Sequence, residues 1–160
     1  MKDPVSVLMV CLGNICRSPT AHAVFQQHVN DAGLQARVLV DSAGTGDYHL
    51  GCAPDPRTQA AGARRGYDLS ALRARLVRGD DFEKFDLVLA MDENNLRDLT
   101  RLCPPALHHK LQLFMDFAPG AGRTVPDPYY GESEAFEQVL DLVEAAADGL
   151  LQHLRTRGGG

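Results

Sequence analysis

Two cysteines, an arginine and a serine share one short segment, CLGNICRS (residues 11–18), that directly follows an apolar run. A loop of this kind between a strand and a helix can turn its backbone N–H groups toward one point and bind an anion. The planar guanidinium of Arg17 can hold two oxygens of a phosphate at once. These surroundings would favour the thiolate of Cys11, which is the nucleophilic form of the side chain.

The other residues of this segment suit a phosphate-binding turn. Gly13 and Asn14 are residue types that adopt a left-handed backbone readily. The hydroxyl of Ser18 can donate a hydrogen bond to the sulfur of Cys11. We therefore expect residues 11–18 to form a phosphate-binding loop, which besides the cysteine and the arginine comprises Leu12, Gly13, Asn14, Ile15, Cys16 and Ser18.

The elements on either side of the phosphate-binding loop follow from the apolar pattern. The segment VSVLMV (5–10) has the continuous hydrophobicity of a strand that is buried on both faces of a parallel sheet. Ser18 and Pro19 are typical of a helix start, and the spacing of apolar residues predicts a helix over about 19–32 that stops near Gly33. The loop is therefore expected to join a central strand to a helix.

Strand and helix patterns alternate along the rest of the chain. The predicted strands are 37–41, 85–92 and 109–114, and the predicted helices are 54–68, 93–102 and 133–155. This alternation predicts an α/β fold with a doubly wound four-stranded parallel sheet, helices on both faces and a flavodoxin-like or Rossmann-like topology. We expect a single domain over residues 1–157 and a flexible tail over 158–160.

Ligands of such sheets bind at the carboxyl ends of the strands. The first predicted strand leads to Cys11, the second to Ser42 and the third to Asp92, so a thiol, a hydroxyl and a carboxylate are expected at one rim. Asp92 is equally placed to cap the helix that follows it. The PDPYY loop (126–130) follows the fourth strand and can carry Asp127 to the same rim.

Composition and charge restrict the class of partner. The chain of 160 residues is 44% apolar and 23% charged, as in ordinary globular proteins. A net charge of −5 and scattered Lys and Arg residues argue against nucleic acid as a partner. No segment approaches the roughly 18 apolar residues of a membrane span, and the first residues lack the long apolar core of a signal peptide. We expect a cytoplasmic protein with reduced cysteines and no membrane partner.

Neither a metal nor an organic cofactor is expected. The cysteines stand at positions 11, 16, 52 and 103, so no C-x2-C pair is present. The sequence also lacks the GK[ST] of a nucleotide-binding loop and the G-x-G-x-x-G of a dinucleotide-binding fold.

The chain resembles the low-molecular-weight protein tyrosine phosphatases over nearly its whole length. The resemblance is carried by CLGNICRSP (11–19), DSAGTG (41–46), PDPR (54–57), FDLVLAMDENNLRDL (85–99) and DPYY (127–130). It implies metal-independent hydrolysis of phosphotyrosine and small aryl phosphates through a covalent cysteinyl phosphate. It also implies inhibition by inorganic phosphate and similar oxyanions.

Site roles come with this resemblance. Cys11 would be the nucleophile, Arg17 the phosphate clamp and Asp127 the general acid. Asn14 and Ser42 would support the loop, with Asp92 as a further supporting residue. Tyr48, Tyr129 and Tyr130 would wall a cleft deep enough for phosphotyrosine. Cys16 would be the redox partner of Cys11. It would form a reversible disulfide with the oxidised nucleophile and so prevent its further oxidation.

The resemblance also bears on partners and on competing functions. Phosphotyrosine-containing proteins are the implied substrates, and bacterial relatives make autophosphorylating tyrosine kinases candidates among them. One alternative is a thiol-dependent arsenate reductase on the same scaffold, although such enzymes place two further cysteines near 73–92, where this chain has none. The other is a non-catalytic phosphate-binding module, which would require neither Cys11 nor Asp127.

Overall fold

Strand β1 (Val5–Cys11) lies in the middle of the sheet because its continuous apolar sequence can be buried on both faces. The computed structural model describes residues 4–157. Within that range, β1 pairs with β2 (Val38–Gly44) on one side and with β3 (Leu87–Ala90) on the other, and β4 (Leu111–Leu113) lies beyond β3. All three pairings are parallel, and the strand order is β2-β1-β3-β4.

Helices cover both faces of this sheet. Their bounds are α1 (Arg17–Asp31), α2 (Pro56–Arg64), α3 (Asp81–Lys84), α4 (Glu93–Leu102) and α5 (Ser133–Arg157), with 3₁₀ turns at Pro105–Lys110 and Phe114–Phe117. On one face, Val7 and Met9 of β1 pack with α1 and α5. On the other face, Leu8 and Val10 pack with α3 and α4. The strand thus alternates between two apolar cores, as its period of two requires.

The α/β class, the parallel sheet and the helices on both faces are confirmed as predicted. Several predicted bounds are wrong. β2 continues to Gly44 instead of ending at residue 41, because its pairing with β1 runs through to Cys11. The helix predicted over 54–68 spans only Pro56–Arg64, and α1 already begins at Arg17.

The structure also contains a short helix, α3, that lies between the second and third strands. The short helix α3 was not predicted, because four residues are too few to show a helical period. The predicted tail, 158–160, lies outside the described residues, so the domain bounds of 1–157 stay a prediction. Among the helices described between residues 4 and 157, none is long and apolar enough to cross a membrane.

Candidate active site

The phosphate-binding loop (residues 11–18) lies between β1 and α1 and wraps around the sulfur of Cys11. The backbone N–H of Asn14 points at this sulfur, with an N···Sγ distance of 3.3 Å. The hydroxyl oxygen of Ser18 lies 3.0 Å from the same atom. Asn14 has a φ of 57°, and it is the one non-glycine residue with a positive φ in the described chain. This left-handed turn directs its N–H inward.

The side chain of Asn14 fixes the turn from both sides. Its Nδ2 donates to the hydroxyl of Ser18 at 2.8 Å, and its Oδ1 accepts from the backbone N–H of Arg75 at 3.0 Å. The guanidinium of Arg75 is itself held by Asp41 of β2 and Asp81 of α3. Sequence reasoning did not find Arg75, because its contact with the loop uses the backbone and leaves no pattern of residue types.

The SAGTG segment (42–46) supports the phosphate-binding loop through close backbone contact. The N–H groups of Thr45 and Gly46 donate to the carbonyls of Cys11 and Leu12 at 3.0 and 2.9 Å. At Gly44, an added Cβ would lie 2.7 Å from the carbonyl oxygen of Leu12. The strand can therefore approach the loop only because this residue has no side chain.

Arg17 is buried beneath the cleft, with 4% of its side chain exposed. Its Nη1 donates to Asp92 Oδ2 at 2.6 Å and to the carbonyl of Val125 at 3.1 Å. Burial alone would lower the pKa of Arg17, but the negative charges of Cys11, Asp92 and Asp127 outweigh it and raise that pKa above its ordinary value. The guanidinium is therefore a cation that Asp92 and the carbonyl of Val125 hold in place.

Asp92 has both of the roles that the sequence left open. One carboxylate oxygen binds Arg17, and the other accepts the backbone N–H of Asn95 at 2.7 Å, which caps α4. The Asp92 side chain thus links the start of α4, just after β3, to the guanidinium of Arg17.

Asp127 lies at the mouth of the cleft on the loop after β4. Its Oδ2 is 3.8 Å from Arg17 Nη2, and half of its side chain is exposed. Its Oδ1 accepts the backbone N–H of Tyr129 at 3.1 Å. The thiol, the guanidinium and this carboxylate therefore surround one space, although they come from distant parts of the chain.

That space is a cleft of about 360 Å³. Tyr48 and Tyr130 form its outer edge, with 72% and 96% of each residue exposed. Tyr129 is half-buried, and its ring meets the ring of Tyr130 edge to face, with 4.9 Å between the ring centres. His49 also lines the cleft and was not predicted, because it stands in an irregular turn without a recognisable motif. The lining residues are Cys11, Leu12, Gly13, Ile15, Cys16, Arg17, Tyr48, His49, Asp127, Tyr129 and Tyr130.

The comparison with protein families agrees with this geometry. A family model described as low molecular weight phosphotyrosine protein phosphatase matches residues 6–158. The chain belongs to this family. A low molecular weight protein-tyrosine-phosphatase of Streptomyces coelicolor is 48% identical over 153 residues, which cover 93% of this chain and 93% of that one. The family and the enzyme class predicted from the sequence are thus confirmed.

Solved structures of related phosphatases share the fold. A protein tyrosine phosphatase of Entamoeba histolytica, with Hepes in its active site, matches with a TM-score of 0.93 and 38% identity over 96% of this chain and 99% of that one. Wzb of Vibrio vulnificus, in complex with benzylphosphonate, matches with a TM-score of 0.82 and 27% identity over 94% and 99% of the two chains.

Ser42 lies apart from the predicted group in this phosphatase. Because β2 continues to Gly44, Ser42 pairs in register with Met9, two positions before Cys11. Its hydroxyl lies 3.0 Å from Nδ1 of His22 on α1. Of the thiol, hydroxyl and carboxylate expected at one rim, the thiol and the carboxylate lie at the ends of their strands, while the serine hydroxyl lies further back in β2 and binds His22 of α1.

Cys16 is buried, in contrast to the exposed Cys52. Burial, together with the charges of Asp55, Cys11 and Asp127, raises the pKa of the Cys16 thiol to about 12. Cys16 is therefore a protonated thiol at neutral pH. All four cysteines of the phosphatase lie within the described residues, and all are free thiols.

The buried histidine predicts a pH dependence of stability. Burial lowers the pKa of His22 below its ordinary value of 6.5, and the nearby Asp41 offsets this in part. Near and below pH 6.5 the unfolded chain therefore binds a proton at this position more readily than the folded chain does. The folded state should therefore lose stability as the pH falls from 7.5 to 5.5, and His22→Gln should lose less over that range.

Urea unfolding of both proteins across this range measures the effect. Other pH-dependent contributions to stability are common to the two proteins and cancel in the difference. Parallel stability curves for the parent and His22→Gln would contradict the prediction.

Proposed function

We propose that this phosphatase hydrolyses phosphotyrosine through a cysteinyl-phosphate intermediate. Cys11 is the nucleophile, Arg17 the phosphate clamp and Asp127 the general acid. The observation that carries the proposal is the convergence of these three side chains on one cleft, with 3.8 Å between the Arg17 and Asp127 side chains. Membership of the phosphatase family supports the reaction itself.

The first step is attack of the Cys11 thiolate on phosphorus. The S–P bond forms while the bond from phosphorus to the tyrosine oxygen breaks. The N–H of Asn14 and the hydroxyl of Ser18 lie within hydrogen-bond range of the sulfur and hold it in place for this attack. The covalent intermediate divides one difficult displacement into two easier ones.

Arg17 and the inward N–H of Asn14 stabilise the charge of the transferring phosphoryl group. Donors that are already in place stabilise a transition state without reorganising during the reaction. The bonds from Arg17 Nη1 to Asp92 and to Val125 hold the guanidinium fixed, which leaves Nη2 toward the cleft.

Asp127 supplies the proton that the departing phenolate oxygen needs. In the second step it accepts a proton from the water whose oxygen attacks phosphorus, so that an O–P bond forms while the S–P bond breaks, which releases phosphate and regenerates the Cys11 thiolate. Its half-exposed position at the cleft mouth suits both transfers, because the leaving group departs and the water enters there. General acid–base assistance of this kind contributes a factor of roughly 10²–10⁴ in rate.

The tyrosines of the cleft support an aryl substrate. Tyr48, Tyr129 and Tyr130 line the cleft with the Cys11 thiol, and we propose that phosphotyrosine spans this cleft to reach the sulfur while the shorter phosphoserine does not. The relative from Vibrio vulnificus binds benzylphosphonate, which carries an aromatic ring close to a phosphorus group. We propose phosphotyrosine-containing proteins as substrates, with autophosphorylating tyrosine kinases as candidates, and a cytoplasmic site of action.

We also propose that Cys16 protects the nucleophile from oxidation. A hydroperoxide oxidises the Cys11 thiolate to a sulfenic acid and is itself reduced. The Cys16 sulfur then attacks the Cys11 sulfur, the disulfide forms, and the sulfenic oxygen leaves as water with the proton of Cys16. Because burial raises the pKa of the Cys16 thiol, we propose that Cys11 and not Cys16 is the thiol that the hydroperoxide oxidises.

The nucleophile is tested with Cys11→Ser. The purified phosphatase should hydrolyse 4-nitrophenyl phosphate in EDTA with a burst of nitrophenol, and Cys11→Ser should lose turnover and burst while it still binds phosphate. Rapid-mixing absorbance measures the burst and calorimetry measures phosphate binding. Full turnover by Cys11→Ser would contradict the proposal, and oxidation of a thiol reductant that depends on arsenate would favour the reductase alternative.

The general acid is tested with Asp127→Asn, which keeps the shape of the side chain. Phenyl phosphate has a poor leaving group and needs the proton, so its kcat should fall by roughly 10²–10⁴. 4-Nitrophenolate is a better leaving group than phenolate, so the kcat for 4-nitrophenyl phosphate should fall much less. Steady-state kinetics on both esters measure this difference, and an equal loss on both would show that another group donates the proton.

The redox role is tested by brief exposure to hydrogen peroxide. Mass spectrometry should find a Cys11–Cys16 disulfide, and a dithiol should restore activity. Cys16→Ala should instead be inactivated irreversibly, since the sulfenic acid of Cys11 then has no nearby thiol. Cys52→Ala is the matched control and should behave like the parent. Recovery of Cys16→Ala equal to that of the parent would contradict the proposal.

A further inference from the structure

The PDPR segment (54–57) forms the start of helix α2 and makes a backbone hydrogen bond to the phosphate-binding loop. The backbone N–H of Asp55 donates to the carbonyl of Ile15 at 2.9 Å, which attaches the start of α2 to the phosphate-binding loop. The Asp55 side chain caps α2 by accepting the N–H of Arg57 at 2.8 Å. The position of Asp55 is therefore fixed relative to residues 11–18.

Asp55 in turn fixes the guanidinium of Arg57. Nε of Arg57 donates to Oδ1 at 3.0 Å and Nη2 donates to Oδ2 at 2.8 Å, which is a two-point contact. The carboxylate is buried with 8% exposure, while 47% of the arginine side chain is exposed. A two-point contact of this kind sets the direction of the guanidinium as well as its distance.

The fixed guanidinium then holds the loop that carries Asp127. Nη2 of Arg57 also donates to the carbonyl oxygen of Tyr129 at 2.9 Å. Its Cζ lies 5.5 Å from the ring centre of Tyr129 and 4.8 Å from that of Phe136 on α5. Tyr129 in turn donates its N–H to the Asp127 carboxylate at 3.1 Å. A continuous series of contacts thus runs from Ile15 to Asp127.

We propose that Arg57 is a positioning residue for the proton transfer by Asp127. It holds residues 127–130 at a fixed distance from the phosphate-binding loop, so that the carboxyl group lies where the leaving oxygen will be. This inference rests on the proposed function, in which Asp127 is the acid.

Asp127 needs such an anchor because little else holds it. Residues 118–132 form no helix or strand, and the carboxylate is half exposed. Arg17 attracts it from 3.8 Å and would draw it toward the site of the phosphate. The hydrogen bond from Arg57 of α2 to the Tyr129 carbonyl opposes this displacement, because it holds the same loop from the α2 side. A misplacement of about 1 Å in a catalytic group can cost roughly 10²-fold in rate.

The test compares Arg57→Met with the parent on two esters. Methionine keeps apolar contact with Phe136 but cannot hydrogen-bond to Tyr129. We expect kcat for phenyl phosphate to fall by roughly 10- to 100-fold, by displacement of the acid. Turnover of 4-nitrophenyl phosphate should stay within about threefold of the parent, since its leaving group needs the proton less. A change confined to folding would affect both esters equally.

Arg64→Met is the matched control. Arg64 lies on the same helix and its guanidinium pairs with Glu137 at 2.8 Å, away from the cleft. This variant should hydrolyse both esters like the parent. Arg57→Lys keeps a positive charge without the two-point contact and should retain most of the defect of Arg57→Met on phenyl phosphate. It also keeps the test possible if Arg57→Met fails to fold.

The double variant Arg57→Met with Asp127→Asn separates this inference from the proposed function. Once the acid is absent, loss of its anchor should cause little further loss on phenyl phosphate. If Asp127→Asn loses more kcat on phenyl phosphate than on 4-nitrophenyl phosphate and the Arg57 variants do not, the inference about Arg57 is overturned, while the role of Asp127 as the general acid is retained. If neither discriminates, both are overturned. Fully multiplicative losses in the double variant would also overturn the inference.

Discussion

The sulfur of Cys11 lies 3.3 Å from the backbone nitrogen of Asn14 and 3.0 Å from the hydroxyl of Ser18. Both contacts depend on the left-handed turn at Asn14, a conformation that costs most residues free energy. Contacts from outside the phosphate-binding loop offset that cost. Arg75 donates its N–H to the Asn14 side chain, and Gly44 lets the neighbouring strand approach. The position of one sulfur therefore depends on a turn that the rest of the fold holds in place.

The site also depends on the buried guanidinium of Arg17. Removing a cation from water costs several kcal/mol unless opposite charges compensate. Here Asp92 lies 2.6 Å away, and Asp127 approaches from the open side. In the proposed mechanism a bound phosphate competes with Asp127 for the same guanidinium, so substrate binding and release of the acid from Arg17 are linked. Asp92, which also caps α4, stays bound throughout and keeps the cation in place.

The two sides of the cleft differ in how they are built. The phosphate-binding loop is short and lies between two regular elements, whereas Asp127 belongs to a long irregular segment, 118–132. A long irregular loop can admit a substrate and release a product, but it positions a proton donor poorly without further contacts. The start of α2 lies between the two sides and makes hydrogen bonds to both, through Asp55 to Ile15 and through Arg57 to Tyr129.

The sequence by itself determined the parallel α/β class and the loop from Cys11 to Ser18, because both follow from patterns of neighbouring residues. Strand and helix patterns alternate along the chain, and the loop segment lies between an apolar run and a helix start. Motifs also pointed to Asp92 and Asp127. Only the tertiary structure decided that Ser42 pairs with His22 and that Arg75 supports Asn14. These contacts depend on how far strand β2 continues and on a backbone donor 61 residues away from its acceptor. Residue types and spacing encode local conformation, whereas register and the partners of backbone groups are fixed only when distant segments pack together.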